Sequence, residues 1–154
     1  TWVARTLQDV HALALRYGPP SLYPSEPKLH ADCNRWLDWS VGALWPDIVP
    51  LFTSLIRTAP ERRDMNAVRI QSTRLAKNWS IADEYLAGKQ FITGEYFTIA
   101  DIALGVLAQT YETFELDNKP DTPHLDAWYQ RISQRPGFKR FAVLPPEPDP
   151  TEHN

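Results

Sequence analysis

The side chains in this sequence that could do chemistry are few and scattered. Cys33 is the only thiol, and the four histidines have no spacing typical of a metal site. Asp101 follows a pattern, since Thr98 stands three residues before it, but no second titrating partner for acid–base work stands nearby in the sequence. The pattern favours a structural carboxylate over a catalytic one. Cys33 falls on the apolar face of a predicted helix, which favours a buried, inert thiol.

The stretch GEYFTIADIALG, residues 94–105, predicts the start of a helix. Thr98 takes the N-cap position and Asp101 the third helical position, which is a capping box with Asp in place of the usual Glu or Gln. Phe97 and Ile102 flank the box as a hydrophobic staple. The residues that follow are apolar on nearly every side, so we expect a central helix whose buried N–H groups need partners inside the protein.

Bulk composition limits the classes of function. The chain has 154 residues, a hydrophobic fraction of 43% and a formal net charge of −3, which suits one domain and argues against nucleic acid or an anionic membrane as partner. One cysteine allows no internal disulfide, no uninterrupted apolar run approaches ~18 residues, and no stretch resembles a signal peptide. These features together predict a cytoplasmic protein.

Helical spacing recurs along the chain, whereas strand-like alternation is almost absent. Pro46 and Pro50 fall inside the second predicted helix and predict a kink. The fold class is therefore all-α, a bundle of about five to six helices with antiparallel neighbours. The predicted helices cover residues 6–17 (with Leu7, Val10, Leu13 and Ala14 on one face), 28–57, 60–87, 98–117 and 123–135, and 138–143 could add one more turn.

Several ordered segments resemble the C-terminal all-helical domain of bacterial-type glutathione S-transferases. They are LALRYGPPSLYPSEP, NRWLDWSVGALWP, YLAGKQFITGEYFTIAD and PHLDAWYQRISQRPGFKR, and the resemblance runs from about Leu13 to Phe141. It divides the chain into a remnant of the last helix of a thioredoxin-like half (1–18), a linker (19–27), the helical C-terminal domain (28–143) and a Pro-rich tail (144–154), expected to be disordered or draped over the domain.

The resemblance implies a function that is split between two halves. Members of the family hold glutathione in the thioredoxin-like half, where a Ser, Tyr or Cys activates the thiol. Residues 1–17 occupy only the place of the last helix of that half, and they contain no Glu-Ser pair. The resemblance therefore implies the substrate-pocket and dimer-interface domain of a homodimeric enzyme that conjugates glutathione to small hydrophobic electrophiles, with no catalytic residue in this chain. This chain alone is not expected to bind glutathione, and it is either a fragment or a natural short product.

The resemblance also assigns candidate site residues. Trp36, Trp39, Ser40 and Ala43 of the long helix, and Tyr111 late in the buried helix, are candidates for the electrophile pocket. The alternative is that the tryptophans and Tyr111 pack in the core or an interface and that Ser40 is a small spacer.

Asn34 and Arg35 are candidates for contacts with glutathione. Asn34 stands roughly where family members have an acidic side chain that reaches the glutathione amine of the partner subunit. Arg35 is a candidate to face a carboxylate of glutathione. Exposure to solvent is the alternative for both. A non-enzymatic interaction module or a truncated gene product remains the alternative function for the whole chain.

Overall fold

The computed structural model describes the backbone of residues 2–141 and the side chains of residues 10–140. Between these bounds the protein is all-α, as predicted. A π-helical turn at Ser40–Leu44 joins α2 to α3, and a second at Thr53–Arg57 extends α3, so the two helices form one long rod. The helices are α1 (Trp2–Tyr17), α2 (Pro27–Trp39), α3 (Trp45–Phe52), α4 (Met65–Leu86), α5 (Ile99–Glu112), α6 (Pro123–Ser133) and α7 (Pro136–Phe141). The predicted tail, residues 144–154, lies outside the described residues.

The first helix differs from its prediction in extent and in orientation. It begins at Trp2 instead of residue 6. Ala14 is buried as expected, but Leu13 is 56% exposed, so the prediction that Leu13 faces the core was wrong. Leu7 lies outside the described side chains. The exposed apolar residues Leu15 and Tyr17 share this helix with Leu13, so exposed apolar side chains lie close together in its last turns.

Three predicted helix bounds differ from those in the structure. The third predicted helix starts at Met65 instead of residue 60, because Asp64 caps it by accepting from the N–H groups of Asn66 and Ala67 at 3.0 Å. Residues 60–62 form a separate 3₁₀ turn. The next helix, α5, ends at Glu112 instead of residue 117, and α6 ends at Ser133 instead of residue 135.

The long rod accommodates Pro46 by a change in hydrogen-bond register. The proline lacks an N–H, and its ring presses on the preceding turn. The turn at Ser40–Leu44 is π-helical, and the Trp45 N–H donates to the carbonyl five residues back. The Asn78 side-chain amide of α4 donates to the Ala43 carbonyl at 2.9 Å. The sequence predicts a kink at this proline, and the structure has a π turn before it, which α4 stabilises by this hydrogen bond.

The core surrounds α5. This helix packs against α2, α3 and α6, and α4 packs against α3 and α6 on the other side of the bundle. Gly105 lets α6 and α7 approach closely, since a Cβ there would lie 2.6 Å from Ile132 Cδ1 and 3.0 Å from Phe138 Cε2. The prediction of a central, buried fourth helix is consistent with this packing.

The rod from Pro27 to Arg57 is long and apolar enough to cross a membrane by length and composition alone. In the structure one side of the rod packs against α4 and α5. It also carries a buried carboxylate, Asp47, which forms an ion pair with Arg74 of α4.

The N-terminus of α6 is capped by a residue of another helix. Asp83 of α4 accepts through Oδ1 from the N–H groups of His124 and Leu125, each at 2.8 Å. The nominal N-cap residue, Thr122, makes no side-chain cap bond. Asp83 therefore satisfies two N–H groups that the first turn of α6 cannot satisfy itself.

We expect Asp83→Ala to lower the free energy of unfolding by about 1–2 kcal/mol, the usual cost of a lost cap. Urea unfolding followed by circular dichroism measures this. Asp83→Asn keeps one acceptor oxygen and should lose less. Asp38→Asn, at an exposed position on α2, is the matched control and should unfold like the wild type. Wild-type stability of Asp83→Ala would contradict the capping role.

Candidate functional site

Two of the predicted pocket residues meet in an aromatic cluster on the side of α2 that faces α4. The Trp36 and Trp39 rings pack edge to face with centroids 4.9 Å apart. Tyr85 of α4 joins them, with its ring centroid 4.6 Å from that of Trp36. Trp36 is buried, whereas Trp39 and Tyr85 are half-buried. Trp36, Trp39 and Tyr85 are called the ring cluster below, and its outer edge is open to solvent.

Two cations flank the ring cluster. The Arg35 guanidinium lies 5.7 Å from the Tyr85 ring centroid and donates to the Tyr85 hydroxyl at 3.3 Å. The Lys89 ammonium lies 3.8 Å from the same centroid. Asp32 is paired with Arg35 at 3.0 Å. The edge of the cluster therefore carries a local excess of positive charge over an aromatic surface.

Ser40 and Ala43, the other candidates on this helix, make structural contacts. The buried Ser40 hydroxyl donates to the Leu37 carbonyl at 2.7 Å, so its hydrogen bond is made within the helix itself. Ala43 is half-buried, and its carbonyl accepts from Asn78. Both lie in the π turn that directly follows Trp39. Trp36 differs, because its indole N–H is buried and has no hydrogen-bond partner.

Asn34 and Arg35, the candidates for glutathione contacts, are neighbours in sequence with different surroundings. Asn34 is half-buried, and its Oδ1 accepts from the Tyr23 hydroxyl at 2.8 Å. The Tyr23 ring also stacks between the rings of His11 and His30, with centroids 5.1 and 4.5 Å away. Asn34 therefore ties the connector after α1 to α2, while Arg35 is exposed beside the ring cluster.

Tyr111, the remaining candidate, lies in a second group of rings inside the core. Its ring centroid is 5.6 Å from that of Trp79 and 6.4 Å from that of Phe114. Its hydroxyl is buried without a hydrogen-bond partner. Burial, together with the nearby charge of Glu112, raises the pKa of Tyr111 to about 12. The contacts of Tyr111 are thus core contacts, separate from the ring cluster.

This raised pKa gives a prediction for Tyr111→Phe. At neutral pH the variant should be as stable as the wild type or more stable, because it removes an unpaired buried hydroxyl. Since the native pKa of about 12 lies above the unfolded value of about 10, the wild type should lose roughly 2–3 kcal/mol relative to the variant as pH rises through this window. Urea unfolding at pH 7, 10 and 11.5 checks the sign, and an unchanged difference across these pH values would contradict it.

The capping box at the start of α5 is present, and its carboxylate has further partners. Asp101 is fully buried, and its Oδ2 accepts from the N–H and the hydroxyl of Thr98 at 2.8 and 3.2 Å. Its Oδ1 accepts from the Ile92 N–H at 2.9 Å and the Trp128 indole N–H at 2.8 Å. Desolvation raises the pKa of Asp101, while these hydrogen bonds act in the opposite direction.

The staple residues Phe97 and Ile102 also line a groove on the protein surface. The groove has a volume of about 760 Å³ and lies between the connector after α1, the loop before α5, and α7. Arg135 and Phe138 form its opposite wall. No residue of the ring cluster lines this groove, so the two features are separate surfaces.

The two reactive groups that the sequence singles out, Cys33 and Asp101, are both buried in the structure. Burial raises the pKa of the Cys33 thiol, which keeps it protonated and weakly nucleophilic, and Asp101 accepts four hydrogen bonds. Among the described residues no group of three or more His, Cys, Asp or Glu could hold a metal ion. The ring cluster with its two cations suits an aromatic ligand that carries a negatively charged or negatively polarised substituent.

Sequence reasoning missed Tyr85 and Lys89. Tyr85 lies near the C-terminal end of α4 and Lys89 in the loop that follows it, some fifty residues from Trp36, so only the contact between Trp36 and Tyr85 in the fold reveals them.

Comparisons with known proteins agree with this fold. The family model described as the C-terminal domain of glutathione S-transferase matches residues 44–136. Glutathione S-transferase GstB of Escherichia coli K12 is 28% identical over 136 residues, which cover 88% of this chain and 65% of that protein. The chain thus spans just under two thirds of that relative. The crystal structure of a theta class glutathione S-transferase from Xanthomonas axonopodis pv. citri with glutathione bound superimposes with a TM-score of 0.81 at 31% identity, covering 86% of this chain and 63% of that one.

Proposed function

This chain belongs to the glutathione S-transferase family, and from that premise we propose that it forms the substrate-pocket and dimer-interface domain of a cytoplasmic glutathione transferase. In this proposal the enzyme joins the thiol of glutathione, as co-substrate, to a small hydrophobic electrophile. The described residues contribute the wall that receives the electrophile. The proposal depends on one observation, which is that the edge of the ring cluster is open to solvent. The two tryptophans of the cluster lie on α2 of this chain, which is itself a member of the family.

The electrophile is proposed to stack on Trp39, the most accessible tryptophan of the ring cluster, with Trp36 and Tyr85 behind it. Aromatic rings prefer offset or edge-to-face contacts with one another, and Trp39 offers such a surface. Arg35 and Lys89 favour a ring that carries a negatively charged or negatively polarised substituent at this edge. Arg35 and Asn34 are retained as proposed glutathione contacts, and Ser40, Ala43 and Tyr111 as proposed supports of the wall.

Dimer formation is supported by exposed apolar residues on the outside of the rod and of α4. Val49, Ile56, Met65 and Ile70 are all exposed, although α3 and α4 also pack against each other. Exposed apolar residues gathered on adjacent elements are typical of an interface. A second copy of the chain is the proposed partner for this surface.

The proposal is tested by titrating the purified chain with glutathione in a calorimeter while light scattering gives its mass. We expect no heat and the mass of a dimer, because the described residues include no thiol-activating group. Saturable heat at millimolar glutathione or below would mean that a glutathione site survives on the helices, and Asn34, Arg35 and Trp39 would then be mutated first. A monomeric mass would contradict the interface.

The electrophile wall is tested separately by quenching of tryptophan fluorescence with a neutral chloronitrobenzene. Trp39→Phe should reduce the saturable quenching. Trp45→Phe, at a half-buried tryptophan outside the ring cluster, is the matched control and should leave the binding curve unchanged. Equal effects of the two substitutions would contradict the proposed wall.

A non-enzymatic interaction module is the second candidate, and the exposed apolar residues Leu13, Leu15 and Tyr17 of α1 favour it. Such a module would self-associate or bind a partner protein through α1 without binding glutathione in any form of the gene product. Glutathione binding by the product of the complete coding region would exclude it.

A further inference from the structure

Three polar side chains form a line of hydrogen bonds between the connector after α1 and the first turns of α2. The Tyr23 hydroxyl stands at the centre, 3.3 Å from His30 Nε2, and it donates to Asn34 Oδ1 at 2.8 Å. The other ring nitrogen of His30, Nδ1, lies 3.0 Å from the Pro24 carbonyl oxygen. All three side chains are half-buried. Tyr23, His30 and Asn34 are called the relay below.

The number of protons in the relay depends on His30. A carbonyl oxygen can only accept, so the bond to Pro24 places a proton on His30 Nδ1. The Tyr23 hydroxyl has one proton, which it donates to Asn34. The contact between that hydroxyl oxygen and His30 Nε2 is then a hydrogen bond only if Nε2 also carries a proton. The arrangement in the structure is therefore the one that an imidazolium at His30 favours.

A neutral His30 favours the reverse arrangement. With its proton on Nδ1, the ring has a lone pair at Nε2, and the Tyr23 hydroxyl can donate to it. The hydroxyl oxygen then presents lone pairs to Asn34 Oδ1, so two acceptors would face each other. A half-turn of the Asn34 amide removes this repulsion, because Nδ2 then donates to Tyr23 and Oδ1 points away. Among the described residues Asn34 Nδ2 has no other hydrogen-bond partner that would oppose the turn.

We propose that protonation of His30 sets the direction of the relay and thereby selects which group of Asn34 is available to a ligand. When His30 is an imidazolium, Tyr23 occupies Asn34 Oδ1 and the amide N–H groups are available. When His30 is neutral, Oδ1 is available to accept a hydrogen bond. The change needs no movement of the backbone, since one hydroxyl proton and one side-chain amide reorient.

The consequence of the relay for a ligand rests on the proposed function, in which Asn34 contacts glutathione. An available Oδ1 can accept from an ammonium group such as the α-amine of glutathione, whereas the amide N–H groups cannot. The contact at Asn34 therefore forms on the alkaline side of the titration of His30 and is lost on the acidic side.

Two other titratable groups stand next to the relay. His11 of α1 stacks on the Tyr23 ring with centroids 5.1 Å apart, and its buried Nε2 has no hydrogen-bond partner among the described residues. Glu26 caps α2 one turn before His30, and its bonds to two backbone N–H groups lower the pKa of its carboxyl. Glu26 thus keeps its charge while a histidine titrates, whereas His11 needs its own control.

Nuclear magnetic resonance on the full chain tests the relay without any ligand. The ¹⁵N shifts of the His30 ring and the side-chain amide shifts of Asn34 are followed from about pH 5 to 8.5, which covers the usual titration of histidine. In the wild type we expect both to titrate with one midpoint. Tyr23→Phe keeps the stacked ring but removes the hydroxyl, so the titration of Asn34 should be lost while His30 still titrates.

His11→Phe is the matched control, because it removes the other histidine and keeps an aromatic ring against Tyr23. The titration of Asn34 should persist in this variant. Three results would each overturn the relay. They are an Asn34 amide that does not titrate with His30 in the wild type, one that still does so in Tyr23→Phe, and one whose titration disappears in His11→Phe.

A second measurement separates the relay from the proposed function. S-methylglutathione has no thiol to titrate, and it should bind the product of the complete coding region more weakly at pH 5.5 than at pH 8. Equal affinities at the two pH values, together with an intact relay by nuclear magnetic resonance, would refute the glutathione contact at Asn34 and leave the relay itself standing.

Discussion

Replacing Asp101 by alanine is expected to lower the free energy of unfolding by about 3–5 kcal/mol, a large part of the stability of a small domain. The wild-type carboxylate accepts four hydrogen bonds, from Ile92, Thr98 and Trp128. Alanine leaves the two backbone N–H groups and the indole N–H buried without an acceptor. Each such group costs about 1–3 kcal/mol before the structure relaxes.

Asp101→Asn separates hydrogen bonding from charge. The amide oxygen in place of Oδ1 can still accept from Ile92 and Trp128. The amide nitrogen in place of Oδ2 would face the Thr98 N–H, so two hydrogen-bond donors would point at each other. We expect a loss of about 1–3 kcal/mol, smaller than that of alanine.

The pH dependence of the difference between Asp101→Asn and the wild type has a definite sign. Desolvation raises the native pKa of Asp101 above its ordinary value. As pH rises from the ordinary value of about 3.9 through the raised native one, the unfolded chain ionises first, so the wild type loses stability relative to the variant.

Urea unfolding of both Asp101 variants at several pH values between 4 and 8 gives these quantities. Asp38→Asn, which removes an exposed carboxylate from α2, controls for the change in net charge. A cost of Asp101→Ala below 1 kcal/mol would show that water or a rearranged loop replaces the carboxylate.

The start of α5 could be predicted from sequence because all its parts are local. Thr98 and Asp101 lie within four residues, so the capping box depends on one turn of backbone. The partners of Asp101 from outside the turn could not be predicted in this way. Trp128 lies on α6, 27 residues further along the chain, and only the packing of α6 against α5 brings its indole N–H to the carboxylate.

The candidate site shows the same limit. Trp36 and Trp39 lie three residues apart on one helix, and the prediction that they share a stripe needed only helical geometry. Tyr85 of α4 completes the cluster and Lys89 of the following loop flanks it, and no local pattern links either residue to α2. Leu13 illustrates the opposite case, since its helical spacing matched a buried face, but its side chain is exposed in the fold.

Asp83 and Asp64 both cap helices, but Asp64 caps its own helix and Asp83 caps another one. Asp64 caps its own helix, and the correction of the start of α4 follows from two bonds within three residues. Asp83 caps α6 from the last turn of α4. The second kind of cap links two helices in a fixed register, so it contributes to the tertiary arrangement as well as to a helix end.

Trp128→Phe is expected to lower the free energy of unfolding by about 2–3 kcal/mol, through a lost hydrogen bond and a residual cavity. The Trp128 side chain is fully buried, and its indole N–H donates to Asp101 Oδ1 at 2.8 Å. Phenylalanine keeps an aromatic ring in the core but leaves Oδ1 with one donor fewer. The remaining buried carboxylate is then less well compensated for its desolvation.

Trp79→Phe is the matched control for this substitution. Trp79 is also fully buried, but its indole N–H has no partner, so the substitution removes the same volume and relieves an unsatisfied donor. It should cost less than Trp128→Phe. A double-mutant cycle then isolates the bond itself. Trp128→Phe should couple to Asp101→Ala by about 0.5–3 kcal/mol, the range for residues in direct contact, and Trp79→Phe should add to Asp101→Ala independently. Equal costs of the two tryptophan substitutions, with no coupling in either cycle, would mean that Trp128 stabilises α5 by volume alone.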